Sequence, residues 1–522
     1  MQESAESNTD PAQGTTMSLQ ETTTDTSGMT EKLPAVLWNE GEVTHICDTA
    51  AREEEIVLYL NGREYLHIVA SPNMLLEFGA GYFTAAGIAE KILSVRIDDK
   101  NVFVEADLFP GAGPREGFAP AEKKGHVVSE LLITPEEIFA VRKAMDVDVW
   151  RQTGGLHCAA LWHDHKIIAV SSDIGRHNAV DKLIGFMTLQ GIPPGECVLG
   201  CTGRQPKGMV MKAVNAGIPV IVGRTAVTYP GAMLAKEEGV TLIGFTRENR
   251  FTVYSHPERI AGFPAEEPEN GKGTENNGEL LLSGWQYDKG SVKPAVDVVV
   301  LEDTVTLYLN GEKYLDNTAT LESLEELGAG FFIAAGITKK IRSVKVRDAD
   351  IFVEADEVAE VCGKMESAGG FCPRESAVNV EGGITISPEE IFTVREQINT
   401  EEWDKTGALH CAVLYYQGEV VYSANDIGRH NAVDKVIGYM TLHRLPAGKC
   451  VLGCTGRMPH GMVSKAANAG IPVIVSRAAT TSTGAALAER SGITLICFTR
   501  PPRFTVYSHP ERIVGLGYEK GI

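Results

Sequence analysis

The segment Asp173-Ile174-Gly175-Arg176-His177-Asn178-Ala179-Val180-Asp181-Lys182 recurs without a change as Asp426 to Lys435. A shared hydrophobic pattern cannot produce identities that mix Gly, Arg, His, Asn and Asp, so the chain carries one module twice. Upstream, Ile167-Ile168-Ala169-Val170 reads as a buried strand; downstream, Val180, Leu183, Ile184 and Met187 follow the i, i+3, i+4, i+7 spacing of a helix. The repeated segment therefore spans a strand-to-helix turn. Free backbone N–H groups at the start of that helix, with Arg176 and His177 beside them, suit a phosphate or similar anion. The plainer alternative is that Asp173 or Asn178 caps the helix while Arg176 and Asp181 pair on the surface.

A chain of 522 residues exceeds one hydrophobic core. A formal charge of −21 and a pI near 5.1 argue against a general binder of nucleic acid, which needs basic surface to displace counterions. No stretch approaches the ~20 apolar residues of a membrane span. Residues 1–30 are rich in Ser, Thr, Glu and Gln, which is neither a signal peptide nor a core. The expectation is a cytoplasmic protein with a disordered tail, whose ten cysteines are reduced thiols. None forms a Cys-x-x-Cys pair, so no metal site is expected.

Along the chain, residues 1–32 read as the tail, 33–263 as the first copy, 264–284 as a flexible linker rich in Glu, Asn, Gly and Pro, and 285–522 as the second copy. Each copy divides into a small strand-rich α+β domain (33–131, 285–384) and a larger α/β domain (132–263, 385–522). In the small domain Ile56 to Leu60 leads into Asn61-Gly62, a hairpin signal repeated at Asn310-Gly311. Ser71-Pro72 reads as a capped helix start. Thr134-Pro135-Glu136-Glu137 and Ser387-Pro388-Glu389-Glu390 carry the hydroxyl, proline and glutamate of a capping box.

In the large domain strands alternate with helices, which implies a sheet with right-handed crossovers. Loops 173–178, 201–208 and 223–229 then leave one sheet edge, where such sheets bind ligands. The large domains align at a shift of 253 (Asp173 to Asp426) and the small ones at 249 (Tyr59 to Tyr308). The four-residue difference falls in the divergent loop that holds Cys372.

Taken together, Asn61-Gly62 and Asn310-Gly311, Thr-Gly-x-Leu-His at 153–157 and 406–410, the repeated decapeptide, Thr-Gly-Arg at 202–204 and 455–457, and Ala-Gly-Ile-Pro-Val at 216–220 and 469–473 form an ordered set. In these motifs the chain resembles the formate dehydrogenase accessory sulfurtransferase family, the FdhD sulfur carriers, over both halves. The resemblance implies a cytidine-deaminase-like α/β domain with a smaller partner domain, in a homodimer. It implies transfer of persulfide sulfur from a cysteine desulfurase to the molybdenum or tungsten cofactor that matures formate dehydrogenase. The implied cargo is bis-molybdopterin guanine dinucleotide, held by its guanine-nucleotide ends. Here the two copies would pair inside one chain as a pseudo-dimer, which raises their effective concentration.

Carried over residue by residue, the cofactor-binding set is Asp173, Gly175, Arg176, His177, Asn178, Thr202, Gly203 and Arg204, with Asp426, Gly428, Arg429, His430, Asn431, Thr455, Gly456 and Arg457. Guanidinium forks match phosphate oxygens. The family's carrier motif is Cys-Gly-x-Cys-Gly. The second copy aligns Gly369 with its first cysteine and keeps the second as Cys372; the first copy, with Pro110 and Gly113, keeps neither. Cys372 is the candidate sulfur-carrying nucleophile, with Arg374 nearby to lower its pKa and Cys362 as a second thiol. The alternative for Cys372 is an inert loop cysteine.

Other residues divide. His157 and His410 are either hydrogen-bonded core groups or ligand contacts, and Cys201 and Cys454 stay open between packing and site. Cys158, Cys411, Cys197 and Cys450 sit in apolar strands as packing groups. Chemistry disfavours hydrolytic deamination, because Ala159 and Ala412 stand where a zinc deaminase needs its proton-shuttling Glu, and Cys201 and Cys454 have no cysteine three residues on. The rivals to sulfur transfer are a non-catalytic molybdopterin guanine dinucleotide chaperone and a binding scaffold with dead pockets.

Overall fold

The computed structural model describes residues 28–112, 126–266, 268, 274–276, 279–359 and 379–516. Cys362, Cys372 and most of the divergent loops lie outside the described residues. Within them the chain is a mixed α/β protein built from two similar repeats. No described helix is long and apolar enough to cross a membrane.

Each small domain is a four-stranded sheet backed by one helix. In the first copy the order is Arg63–Ala70, Glu54–Leu60, Asn101–Leu108, Ala89–Asp98. Asn61 and Gly62 turn the first hairpin with φ of 49° and 76°, the left-handed pair that matches strand twist. The helix is Leu75–Ala85 and begins later than the sequence suggests: Met74, not Ser71, is its N-cap. Ser71 is engaged elsewhere, as the site geometry shows. Thr134 and Ser387 do form capping boxes, each accepting the N–H of a glutamate three residues on while that carboxylate accepts in return.

The large sheet of the first copy runs Arg250–Ser255, Thr241–Gly244, Val220–Gly223, Cys197–Cys201, His157–His163, Lys166–Asp173. Its middle strands are buried on both faces because helices cover both, which explains their unbroken apolar runs. Val220–Gly223 lies parallel to both neighbours, while His157–His163 lies antiparallel to both of its own. Asp173, Cys201 and Gly223 therefore end on one edge, and His157 begins there. The second copy repeats the arrangement.

The sheets do not stop at the copy boundary. The hairpin Thr30–Asn39 and Glu42–Ala51, read from sequence with the first small domain, pairs with Arg503–Ser508 and extends the sheet of the second copy. Its counterpart, Glu279–Asp288 and Ser291–Val299, pairs with Arg250–Ser255 and extends the first. The segment read as linker over 264–284 thus passes into a strand at Glu279, and the presumed tail 1–32 into a strand at Thr30. Trp38 stacks on Phe504 at 5.0 Å and Tyr287 on Phe251 at 5.1 Å, pinning the two exchanged hairpins alike.

Within each copy the small domain docks on the decapeptide helix, Arg176–Leu189 or Arg429–Leu442. The crossing is closed by glycines. A Cβ on Gly81 would stand 1.7 Å from the carbonyl oxygen of Asp181, and one on Gly185 1.8 Å from that of Glu77. Gly330 and Gly438 repeat the contact, so two backbones touch where any side chain would hold them apart.

Candidate functional site

The decapeptide divides its labour. Asp173 is fully buried. Its Oδ1 accepts the N–H of Gly175 at 2.7 Å and the Asn178 amide at 3.0 Å. Its Oδ2 accepts the Ser71 N–H at 2.9 Å and the Lys182 ammonium at 2.6 Å. Lys182 donates further to Ser71 O at 3.1 Å and Asn73 Oδ1 at 2.8 Å, and Asn178 to Val69 O at 2.9 Å. In the second copy Asp426 takes Gly428 at 2.7 Å, Asn431 at 2.9 Å and Lys435 at 2.8 Å, and Asn431 donates to Thr318 O at 2.8 Å. These carboxylates and amides, read from sequence as ligand contacts, are thus engaged in a latch that ties residues 69–73 and 318–320 to the large domain. Neither aspartate is the helix cap; that position belongs to Gly175 and Gly428.

Arg176, Arg429, His177 and His430 are differently placed: they open their helices and stay half-buried. The Thr-Gly-Arg loop packs against them. A Cβ on Gly203 would lie 2.7 Å from Arg176 Cδ, and one on Gly456 2.7 Å from Arg429 Cβ, so glycine lets the arginine stems pass across the loop. Thr202 Oγ1 accepts the Cys158 N–H at 2.9 Å and stands 3.4 Å from His157 Nδ1. Thr455 does the same for Cys411 at 3.0 Å and His410 at 3.1 Å.

Arg204 and Arg457 cross the boundary. Arg457 Nη1 donates to Gly155 O at 2.7 Å, and Arg204 Nη1 donates to Ala408 O. Each arginine-histidine cluster is consequently composite: Arg176, His157 and Thr202 with Arg457 of the other copy, and Arg429, His410 and Thr455 with Arg204. Burial, then the four arginines, hold His157 and His410 well below the usual histidine range; burial and Arg429 do the same to His430. Neutral imidazoles among guanidiniums form a donor set that fits phosphate oxygens.

The described thiols contrast with this. Cys201 and Cys454, open from sequence, are fully buried and accept the N–H of Gly203 at 3.3 Å and Gly456 at 3.2 Å. Burial pushes Cys454 up to about 12 and raises Cys201 as well. Cys158 and Cys411 are pushed to about 11, Cys197 to about 12 and Cys450 to about 11 by the same cause. These six and Cys497, which burial also raises, are protonated packing groups; Cys47 is the exposed thiol among the described residues.

Glu53 and Glu302 were not singled out by any motif, yet they reach the same region. Their spacing of 249, that of the small domains, is the signal that could have found them.

Two α/β repeats, each completing the sheet of the other and each carrying arginine and histidine at one sheet edge, define a class of duplicated, interlocked α/β proteins. A profile of the FdhD/NarQ family matches residues 51–261 and again 300–514, and the chain belongs to that family. It is 33% identical over 234 residues to the sulfur carrier protein FdhD of Methanothermobacter thermautotrophicus, a match covering 42% of this chain and 94% of that protein. It is 31% identical over 260 residues to the sulfur carrier protein FdhD of Bacillus subtilis, covering 44% and 99%. A solved protein described as a formate dehydrogenase accessory protein, from Desulfotalea psychrophila, aligns at 28% identity and TM-score 0.41 over 44% of this chain and 99% of that one. A family profile matched twice, with relatives covered almost whole by less than half of this chain, makes the chain a tandem duplication.

Proposed function

We propose that the chain is a sulfur carrier of formate dehydrogenase maturation, taking persulfide sulfur from a cysteine desulfurase and passing it to the molybdenum or tungsten cofactor. The observation that carries this reading is the composite pair of arginine-histidine clefts, which offers phosphate-binding groups twice, once per copy. That duplication suits a cargo with two nucleotide ends, such as bis-molybdopterin guanine dinucleotide. Arg176 and Arg457 would hold one end, Arg429 and Arg204 the other, with Thr202 and Thr455 orienting the neutral histidines. We read the large domains as cytidine-deaminase-like layers that keep the sheet and lack the deaminase acid.

Sulfur loading falls to Cys372. Its thiolate attacks the outer sulfur of the desulfurase persulfide; the new S–S bond forms as the old one breaks, and the desulfurase cysteine leaves as thiolate. Seven of the eight described thiols are buried, and their raised pKa values leave little thiolate; that narrows the carrier to the exposed Cys47 and to Cys362 and Cys372, of which Cys372 alone aligns with the carrier motif. The experiment is incubation with a cysteine desulfurase and free cysteine, followed by peptide mass mapping. A gain of one sulfur on Cys372, abolished in Cys372→Ala with GDP binding retained, is the expected result. Equal labelling of the variant refutes the carrier role, and absent labelling with intact GDP binding leaves the chaperone reading.

A further inference from the structure

Glu53 and Glu302 each cross the copy boundary. Glu53 Oε1 accepts the backbone N–H of His460 at 2.8 Å and the hydroxyls of Thr481 at 2.7 Å and Thr483. Glu302 Oε1 accepts the N–H of Lys207 at 2.8 Å and the hydroxyl of Thr228 at 3.0 Å. His460 and Lys207 are the first residues of the helices His460–Ala469 and Lys207–Ala216. Each carboxylate therefore occupies a helix N-terminus of the opposite copy, next to the Thr-Gly-Arg loop, where a free anion would otherwise be favoured.

Both side chains are almost wholly enclosed, with Glu53 2% and Glu302 4% exposed. The second oxygen of each, Oε2, is buried with no hydrogen-bond partner among the described residues. A buried carboxylate with one oxygen unbonded is costly unless positive charge stands near. Here Glu302 lies in the field of Arg176 and Arg204, and Glu53 in that of Arg429 and Arg457. Arg176 Nε and Arg429 Nε are themselves buried without a partner among the described residues, so positive and negative groups of the clefts are incompletely matched in the same way in both copies.

We propose that Glu53 and Glu302 are specificity-determining residues: built-in counter-anions, supplied across the copy boundary, that offset part of the arginine charge and set how highly charged a ligand the clefts accept. The inference rests on the anion-binding reading of the clefts. Two carboxylates against four guanidiniums leave net positive charge for a nucleotide diphosphate without the excess that would trap inorganic polyanions.

The test uses the full chain with Glu53→Gln and Glu302→Gln, singly and together, titrated calorimetrically with inorganic pyrophosphate and inorganic phosphate. Glutamine keeps an acceptor oxygen for the helix N–H and the threonines, so melting temperature should change little. Loss of a full charge inside the site should tighten pyrophosphate by about tenfold per substitution and phosphate by less, raising the ratio of the two. Pyrophosphate affinity that is unchanged or weaker overturns the inference, as does loss of the fold in both single variants, because either makes the carboxylates helix caps alone. A parent chain that binds neither pyrophosphate nor GDP fells the reading of the clefts, and this inference with it; a binding parent matched by its variants fells this inference only.

Discussion

Arg457 Nη1 and Gly155 O are joined at 2.7 Å across the boundary between the copies, two residues ahead of His157. One of the two arginines beside His157 is thus supplied by the opposite copy and the other, Arg176, by its own. Arg457→Ala should weaken GDP binding at the cleft of His157 by about ten- to a hundredfold, the range of a charge-assisted hydrogen bond of ~1.5–3 kcal/mol. Calorimetry should show one of two sites lost and the other retained. Equal weakening of both would mean that the clefts do not act separately.

Acid should destabilise the protein through its histidines. His157, His410 and His430 are held below the ordinary value by burial and arginines, so below pH ~6.5 the unfolded chain binds protons that the folded one refuses. Stability then falls as pH falls, by up to ~1.4 kcal/mol per unit for each histidine. Asp181 and Asp434, pushed up by burial to about 6, act oppositely: the folded chain binds their protons first, which adds stability as pH drops from about 6 toward 4. Melting from pH 8 to 5 should decline from about 6.5 and keep declining below 6, less steeply than three histidines alone would give because the two aspartates offset part of their effect. GDP should reduce the decline by favouring imidazolium; a flat profile without ligand would contradict the placement of the histidines.

Asp173→Asn separates latch from ligand contact. It leaves the fully buried Lys182 without its charge partner, which should cost ~3–5 kcal/mol in urea unfolding. GDP affinity of the folded fraction should stay within about threefold of the parent, because the four cleft arginines are untouched. A selective loss of GDP binding with unchanged stability would return Asp173 to the ligand site.

Trp38→Ala should release the first exchanged hairpin. Trp38 is partly buried, stacked on Phe504 at 5.0 Å and near Phe392 at 5.7 Å, so its truncation should cost ~1.5–3 kcal/mol. Proteolysis near residues 30–51 should accelerate well before global unfolding. Unchanged protection would show that backbone pairing alone holds the hairpin.

Much of the fold was open to reading along the chain. The Asn-Gly turns, the capping boxes and the buried strand runs are local signals, each set by backbone preference within a few residues. So was the common edge of the loops, since strand–helix alternation dictates it. The division of labour inside the decapeptide was not: Asp173, Asn178, Arg176 and His177 are neighbours in sequence, and only the packing of residues 69–73 decides which of them is engaged by protein.

The repeat, its α/β character and the arginine loops follow from the order of residues alone, because identity, periodicity and turn chemistry are properties of short segments. Which copy completes which sheet, which arginine enters which cleft, and where Glu53 and Glu302 come to rest were decided in three dimensions. Those contacts join positions hundreds of residues apart, and their energies depend on burial and on fields from the opposite copy, neither of which any local stretch encodes.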